Sequence, residues 1–330
     1  MESFVRNYFD SFFTPEERKS FITFYYNSIQ DFAQDWTTIE NEYKKLINVD
    51  NFNMVVADNA SYFIEKLFNK HVDKDTFVIG SLVHSTVINE MNKVDNKYIL
   101  SYNDIKTLDI NKLISKYKES NCKKLFIYLP SMVEQQLLLQ LFCERLKEEL
   151  VNQNIDHIIV LDDVATMFII PKDYNIFDYV IFTCHSLIPN FNFGLLFYKS
   201  NINIDFGYKD YLAAYCFINY LKKFLSKSDK ILIFNIILQQ YYTEELSNNI
   251  FKLSSFTTPN IFYIMLTDNK LNNIMDKYKE ELRVYNIDYD NGIIIIRCSH
   301  LLNQDVDNII KGLEKLKQIL QKCIKLKDRL

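Results

Sequence analysis

Two apolar runs in this sequence end in groups that can do chemistry. HIIVLDD stops at Asp162 and Asp163, and YVIFTCHS stops at Thr183, Cys184, His185 and Ser186. Neighbouring carboxylates can divide acid and base work when their surroundings separate their proton affinities. Histidine adds a group that titrates near neutral pH. Three more apolar runs end similarly, FNMVVAD before Asn59-Ala60-Ser61, TFVIGS before His84-Ser85-Thr86, and KKLFIYLP at Pro130 and Ser131. Asn59 opens a helical pattern, and a helix N-terminus with free amides and a hydroxyl suits an anion. Plainer roles compete with each reading: Asn59 as a helix cap, His84 as a loop residue, the two acids as caps of the next helix.

The spacing excludes several chemistries. No GxSxG elbow is present, and Ser186 stands beside His185, too close in sequence for an ordinary nucleophile and base pair. A hydrolase with a Ser-His-Asp set is therefore a minor alternative. A metal site from His84, His185, Asp162 and Asp163 has the right donor types, but no spacing motif supports it, and no metal is expected. Only 5 Gly occur in 330 residues, without GxGxxG or GxxxxGKS, which disfavours Rossmann and P-loop nucleotide binding.

These groups need a frame. From Phe52, apolar runs alternate with amphipathic patterns: YFIEKLFNK, VINEMNK, TLDINKLISKYKE after a turn at Asn103-Asp104, and EQQLLLQLFCERLKEELVNQ, read as one long helix. That alternation predicts a three-layer α/β/α domain with a mostly parallel sheet, over residues 49–205. In such sheets ligands lie beyond the carboxyl ends of the strands. Residues 1–48 read as a helical segment, with a helix start at Thr14-Pro15-Glu16-Glu17 and a second helix from about Thr37 to Leu46. Residues 206–330 read as linking helices, beginning with GYKDYLAAYCFINYLKKFLSK, and a smaller α+β domain. The latter has a strand NIFYIMLTD, a hairpin turning at Asp290-Asn291-Gly292, and a last helix from about Gln304.

The net charge of −4 and interspersed Lys and Glu give no basic face for nucleic acid. The six Cys form no CxxC pair, fitting reduced thiols. The first residues lack signal-peptide features, and no apolar run reaches the about 18 residues needed to span a bilayer. A cytoplasmic protein without a transmembrane segment is expected.

The order of parts, from about residue 50 to 320, resembles the fold-type I pyridoxal-phosphate-dependent transferases, the aspartate aminotransferase superfamily. Asn59, Ala60 and Ser61 stand where that family opens a helix onto the cofactor phosphate. His84 stands where it often sets an aromatic or His over the pyridine ring. YILSYNDIKTLDINKLI resembles the α-oxoamine synthase branch, with Tyr102 in place of a His. Asp162 matches the strand-end Asp that pairs with the pyridinium nitrogen, and Thr183 falls in the same cofactor group. The segment around HLLNQDVD resembles the class V, cysteine desulfurase-like version of the C-terminal hairpin and helix, in which Arg297 would clamp a substrate carboxylate.

One departure stands out. The family's chemistry depends on a Schiff-base Lys, which class V members carry directly after a His; here His185 is followed by Ser186. A hydroxyl cannot form an imine. Lys172, in the loop between the two strands, and Lys199, at the far end of the next strand, are the nearest lysines. The resemblance thus implies a noncatalytic homologue, with pyridoxal phosphate either kept or lost. It would act as a homodimer or as partner of an active paralogue, as in serine palmitoyltransferase-like heterodimers. The alternative is an active transferase or lyase that binds the cofactor in an atypical site.

Overall fold

In the computed structural model, residues 32–49, 51–82, 84–133, 136–164, 166, 172–183, 193–210, 214–215, 218, 221–222, 251–253, 261–266, 275–285, 287–290, 293–297 and 306–327 are described. The chain divides into two compact units, Met1–Leu221 and Lys222–Leu330. The expected helix start at Thr14 lies outside the described residues.

The first unit runs α1 (Phe32–Ile47), β1 (Phe52–Ala57), α2 (Ala60–His71), β2 (Thr76–Gly80), α3 (Ser85–Asn92), β3 (Lys97–Ile99), α4 (Tyr102–Lys106) and α5 (Ile110–Glu119). It continues through β4 (Lys124–Pro130), β5 (Met132–Val133), β6 (Gln136–Leu137), α6 (Gln140–Asn152), β7 (His157–Asp162), β8 (Tyr179–Thr183) and β9 (Gly194–Lys199). Seven of the strands form one sheet in the order β1-β9-β8-β7-β4-β2-β3. The pairs from β8 through β7, β4 and β2 to β3 are parallel. β9 runs antiparallel to both β1 and β8. The expected three-layer α/β fold with a mostly parallel sheet is what forms.

The runs are apolar throughout because both faces of the sheet are covered. On one face Phe63, Leu67 and Phe68 of α2 and Val87 and Met91 of α3 pack on Val78, Phe126, Val160, Ile181 and Leu196. The alternate residues serve the other face: Phe197 meets Tyr43 of α1 at 5.9 Å and Phe182 at 5.6 Å, and Phe77 meets Tyr117 of α5 at 6.3 Å. Each such side chain, fully buried, contributes about 1.5–3 kcal/mol.

Three local readings change. The segment from Glu134 is not one helix: β6 folds back on β5, Leu138 N–H donates to Ser131 C=O at 2.9 Å, and helix begins only at Gln140. Asn103-Asp104 is helix rather than turn, because Ser101 and Asp104 form a reciprocal capping box that starts α4. Leu108, at φ 53°, then separates α4 from α5, and Asp109 caps the latter. After β9 the chain does not enter a helix at Gly207. That residue has φ +83°, and Tyr208 instead exchanges backbone hydrogen bonds with Val56 at 2.9 Å. The described residues Ala214, Tyr215, Ile218, Leu221 and Lys222 are helical.

The second unit holds an antiparallel sheet in the order β10 (Phe251–Leu253), β11 (Ile261–Leu266), β13 (Ile293–Arg297), β12 (Ile287–Asp290). α7 (Lys279–Arg283) precedes β12, and α8 (Val306–Lys327) follows β13. Leu313, Leu316, Ile319 and Leu320 give α8 one buried face at helical spacing.

Candidate active site

The carboxyl ends of β7 and β8 and the N-termini of α2 and α3 meet on the α2/α3 side of the sheet. At α2, Asn59 is the N-cap, its Oδ1 accepting from Tyr62 N–H at 2.9 Å. Helix geometry leaves the amides of Ala60 and Ser61 without intrahelical acceptors. Thr86 Oγ1 donates to Ser61 Oγ at 3.1 Å, which ties the start of α3 to the start of α2 and leaves the Ser61 proton available to an anion. His84 caps α3, its Nδ1 accepting from Thr86 N–H at 3.2 Å, and its ring is exposed.

Gly194 sets the height of this cradle above the sheet. It pairs with Ala57 on one side and Thr183 on the other. A Cβ there would lie 2.6 Å from the Asn59 carbonyl carbon and 2.8 Å from Ala60 N, so only glycine lets the helix start come this close. Thr183 is buried and donates its hydroxyl to Phe193 C=O at 3.0 Å, joining the two ends of the segment between β8 and β9. Cys184, His185 and Ser186 within that segment lie outside the described residues. Arg297 ends β13 in the second unit.

The two acids at the end of β7 part company. Asp162 shares the face of Val160 and points to the α2/α3 side, its Oδ2 accepting from Tyr128 Oη–H at 2.5 Å and its Oδ1 from Val164 N–H at 3.1 Å. Burial, the largest influence, holds its carboxyl above the usual carboxylate range; the bonds from Tyr128 and Val164 pull it down without cancelling that effect, and Asp163 raises it while His84 lowers it.

Asp163 is fully buried and turns the other way. Its Oδ1 accepts from Lys172 Nζ at 2.8 Å and from Thr166 Oγ1, and its Oδ2 from Tyr174 Oη at 2.7 Å. Tyr174 rests edge-on against Phe182, on the α6 side, and burial pushes the nearby Cys143 thiol of α6 up to about 12. Asp162 and Asp163 therefore cannot work as a pair on one ligand. Among the described residues no cluster of three or more His, Cys, Asp or Glu could hold a metal. The lysines are also committed: Lys172 to Asp163 and Thr166, and Lys199 to Asp178 at 2.9 Å, at the other end of the sheet. A separate polar cleft of about 540 Å³, lined by Glu65, Asn69, Asn89, Glu90, Asn92 and Lys93, lies along the later turns of α2 and α3, away from the strand ends.

Sequence reasoning missed Tyr128. A tyrosine near the end of an otherwise apolar strand, two residues before a turn, was the available sign. It also missed Thr86 as the link between two helix starts.

The donor set fits a ligand with an anionic arm and a protonated ring nitrogen: two free amides and a hydroxyl at α2, and a buried carboxylate at Asp162. Asp162 on β7 and Gly194 on β9 are two strands apart, roughly 10 Å at the usual interstrand spacing. No protein-family model matches the chain, and no curated protein matches it in sequence. Solved structures do match in fold. A NifS-like protein from Rickettsia africae has a TM-score of 0.74 at 15% identity, covering 94% of this chain and 97% of the other. The histidinol-phosphate aminotransferase of Clostridium acetobutylicum gives 0.62 at 15%, covering 92% and 96%. The SepCysS–SepCysE N-terminal domain complex gives 0.61 at 15%, covering 95% and 93%. The chain has the fold of the fold-type I pyridoxal-phosphate-dependent transferases.

Proposed function

We propose that this protein is a noncatalytic homologue of those transferases, one that holds pyridoxal phosphate without a covalent bond and acts by association, as a homodimer or with an active paralogue. The observation that carries the reading is the lack of a lysine in the segment where the resemblance expects the Schiff-base residue. Between Lys172 and Lys199 the sequence has none, Ser186 follows His185, and both flanking lysines are in ion pairs. An ammonium paired with a carboxylate has no lone pair for a carbonyl carbon.

Several groups support retention of the ligand. Ala60 N–H, Ser61 N–H and the Ser61 hydroxyl would hold the phosphate, and His84 would flank the ring. Asp162 would accept from the ring nitrogen; a role for Arg297 with a substrate carboxylate rests on the family resemblance alone. When bound, pyridoxal phosphate supplies an electron sink. Among the described residues no helix is long and apolar enough to cross a membrane. One of the matched structures is a complex with a partner domain, which makes a partner a natural object of search.

Pyridoxal phosphate titration of the purified protein and of Ser186→Lys tests this directly. The wild type should bind cofactor that dialysis removes and borohydride does not fix, and Ser186→Lys should give a fixed adduct. A borohydride-fixed adduct on a wild-type lysine overturns the noncatalytic reading, and absence of binding in both forms overturns the cofactor reading. A native protein that sediments as a monomer and copurifies with no paralogue sinks the association.

A further inference from the structure

Asp162 is held from within the core as well as from its own loop. Tyr128 is fully buried on β4, its ring 6.1 Å from that of Phe68 on α2. The register pairs Tyr128 with Val160 and Pro130 with Asp162, so the phenol reaches diagonally towards the strand ends along one face. A buried hydroxyl is costly unless it is hydrogen-bonded, and the acceptor here is the Asp162 carboxylate at 2.5 Å. Burial raises the phenol well above its ordinary range, so Tyr128 keeps its proton and remains the donor. Anchoring the backbone after β7 does not require it, because Val164 N–H already binds Asp162 Oδ1.

We infer that Tyr128 is a positioning residue that favours the ionised form of Asp162 and fixes its plane, so that its remaining lone pairs meet a protonated ring nitrogen of the bound ligand. The inference rests on the pyridoxal-phosphate reading above. A phenol donating to a carboxylate stabilises the charged form and opposes the effect of burial. The other groups that bear on Asp162 are Asp163, beside it in sequence, and His84 from α3, the first raising and the second lowering its proton affinity. Without the Tyr128 hydroxyl the balance tips towards a neutral acid, which offers a cation no charge.

Tyr128→Phe removes one oxygen and leaves the ring packing in place. Two readouts are needed, both on the full chain. In cofactor-free protein, the carboxyl of Asp162 followed by carbon NMR should titrate at higher pH in the variant than in the wild type. In a pyridoxal phosphate titration, the variant should bind on the order of tenfold more weakly at mildly acidic pH, recovering as pH rises. A purely structural role would weaken binding equally at every pH. An unmoved NMR midpoint, or a pH-independent loss of affinity, overturns the inference and leaves the cofactor reading standing. A wild type that takes up no pyridoxal phosphate at any pH overturns both.

Discussion

Gly194 lies directly under the Asn59–Ala60 peptide, so close that a single methyl group would fall 2.6 Å from the Asn59 carbonyl carbon. The first residue of β9 therefore fixes where α2 can begin, and with it the two amides and the hydroxyl offered to an anion. Gly194→Ala should push the helix start away from the sheet at a cost of about 1–3 kcal/mol. The shift should appear in the urea midpoint, with weakened pyridoxal phosphate binding beside it. Unchanged stability together with unchanged binding would mean that the helix start is not held at this height.

The Lys172–Asp163 pair makes a second test. Both side chains are buried, at 6% and 0% exposure. Removing one partner leaves an uncompensated charge, whereas removing both often costs little. Lys172→Met should therefore lose about 3–5 kcal/mol, and the Lys172→Met, Asp163→Asn double variant should recover a good part of it in denaturant titrations. Equal losses in the single and double variants would show that the ion pair is not the main interaction there.

Asp104 illustrates an acid whose role is entirely structural. It accepts from Lys112 Nζ at 2.6 Å, Ser101 Oγ at 2.7 Å, Ser101 N–H at 3.0 Å and Tyr98 Oη at 3.1 Å. Burial pushes its carboxyl up, but these bonds together outweigh it and hold it below the usual carboxylate range. Its stabilisation is present above the unfolded-state value and lost as pH falls through the lower folded value. Asp104→Ala should cost about 2 kcal/mol at neutral pH. The deficit should shrink on the acid side, and a pH-independent deficit in thermal melts would contradict this account.

Much of the sheet was legible because burial on both faces makes a strand apolar at every position, as in TFVIG and YVIFT, both fully buried. Position at the end of such a run also marked Asn59, His84, Asp162 and Asp163. Two things were not legible from apolar runs. Period-two alternation puts adjacent residues on opposite faces, so VLDD contains one acid for each side of the sheet, and only the placed partners show which acid is neutralised by Lys172. The stretch from Glu134 has helical composition, yet Gln136 and Leu137 pair as β6 with β5, a tertiary choice that propensity does not record. The capping box at Ser101 was present in the letters, three residues apart from Asp104, but was masked by the turn-like look of Asn-Asp.

His71 provides the last test, one of pH. It ends α2 with Nε2 2.7 Å from Tyr179 Oη and its ring stacked on Phe126. Burial first, then Lys70 and Lys124, lower its affinity for a proton to about 4, against a smaller opposing pull from Asp178. The folded protein therefore keeps His71 neutral where the unfolded chain, near 6.5, takes up a proton. The stability this provides is complete above the unfolded value and is lost as pH falls towards the folded one. With partial exposure allowed for, it amounts to about 2 kcal/mol. His157, also lowered by burial, adds to the same slope with the same sign. His71→Gln keeps an acceptor for Tyr179 without a titrating ring. Its unfolding free energy, measured between pH 4 and 6.5, should vary with a visibly flatter slope than that of the wild type. A parallel pair of curves would mean that His71 is protonated in the folded state, with Tyr179 turned to accept rather than donate.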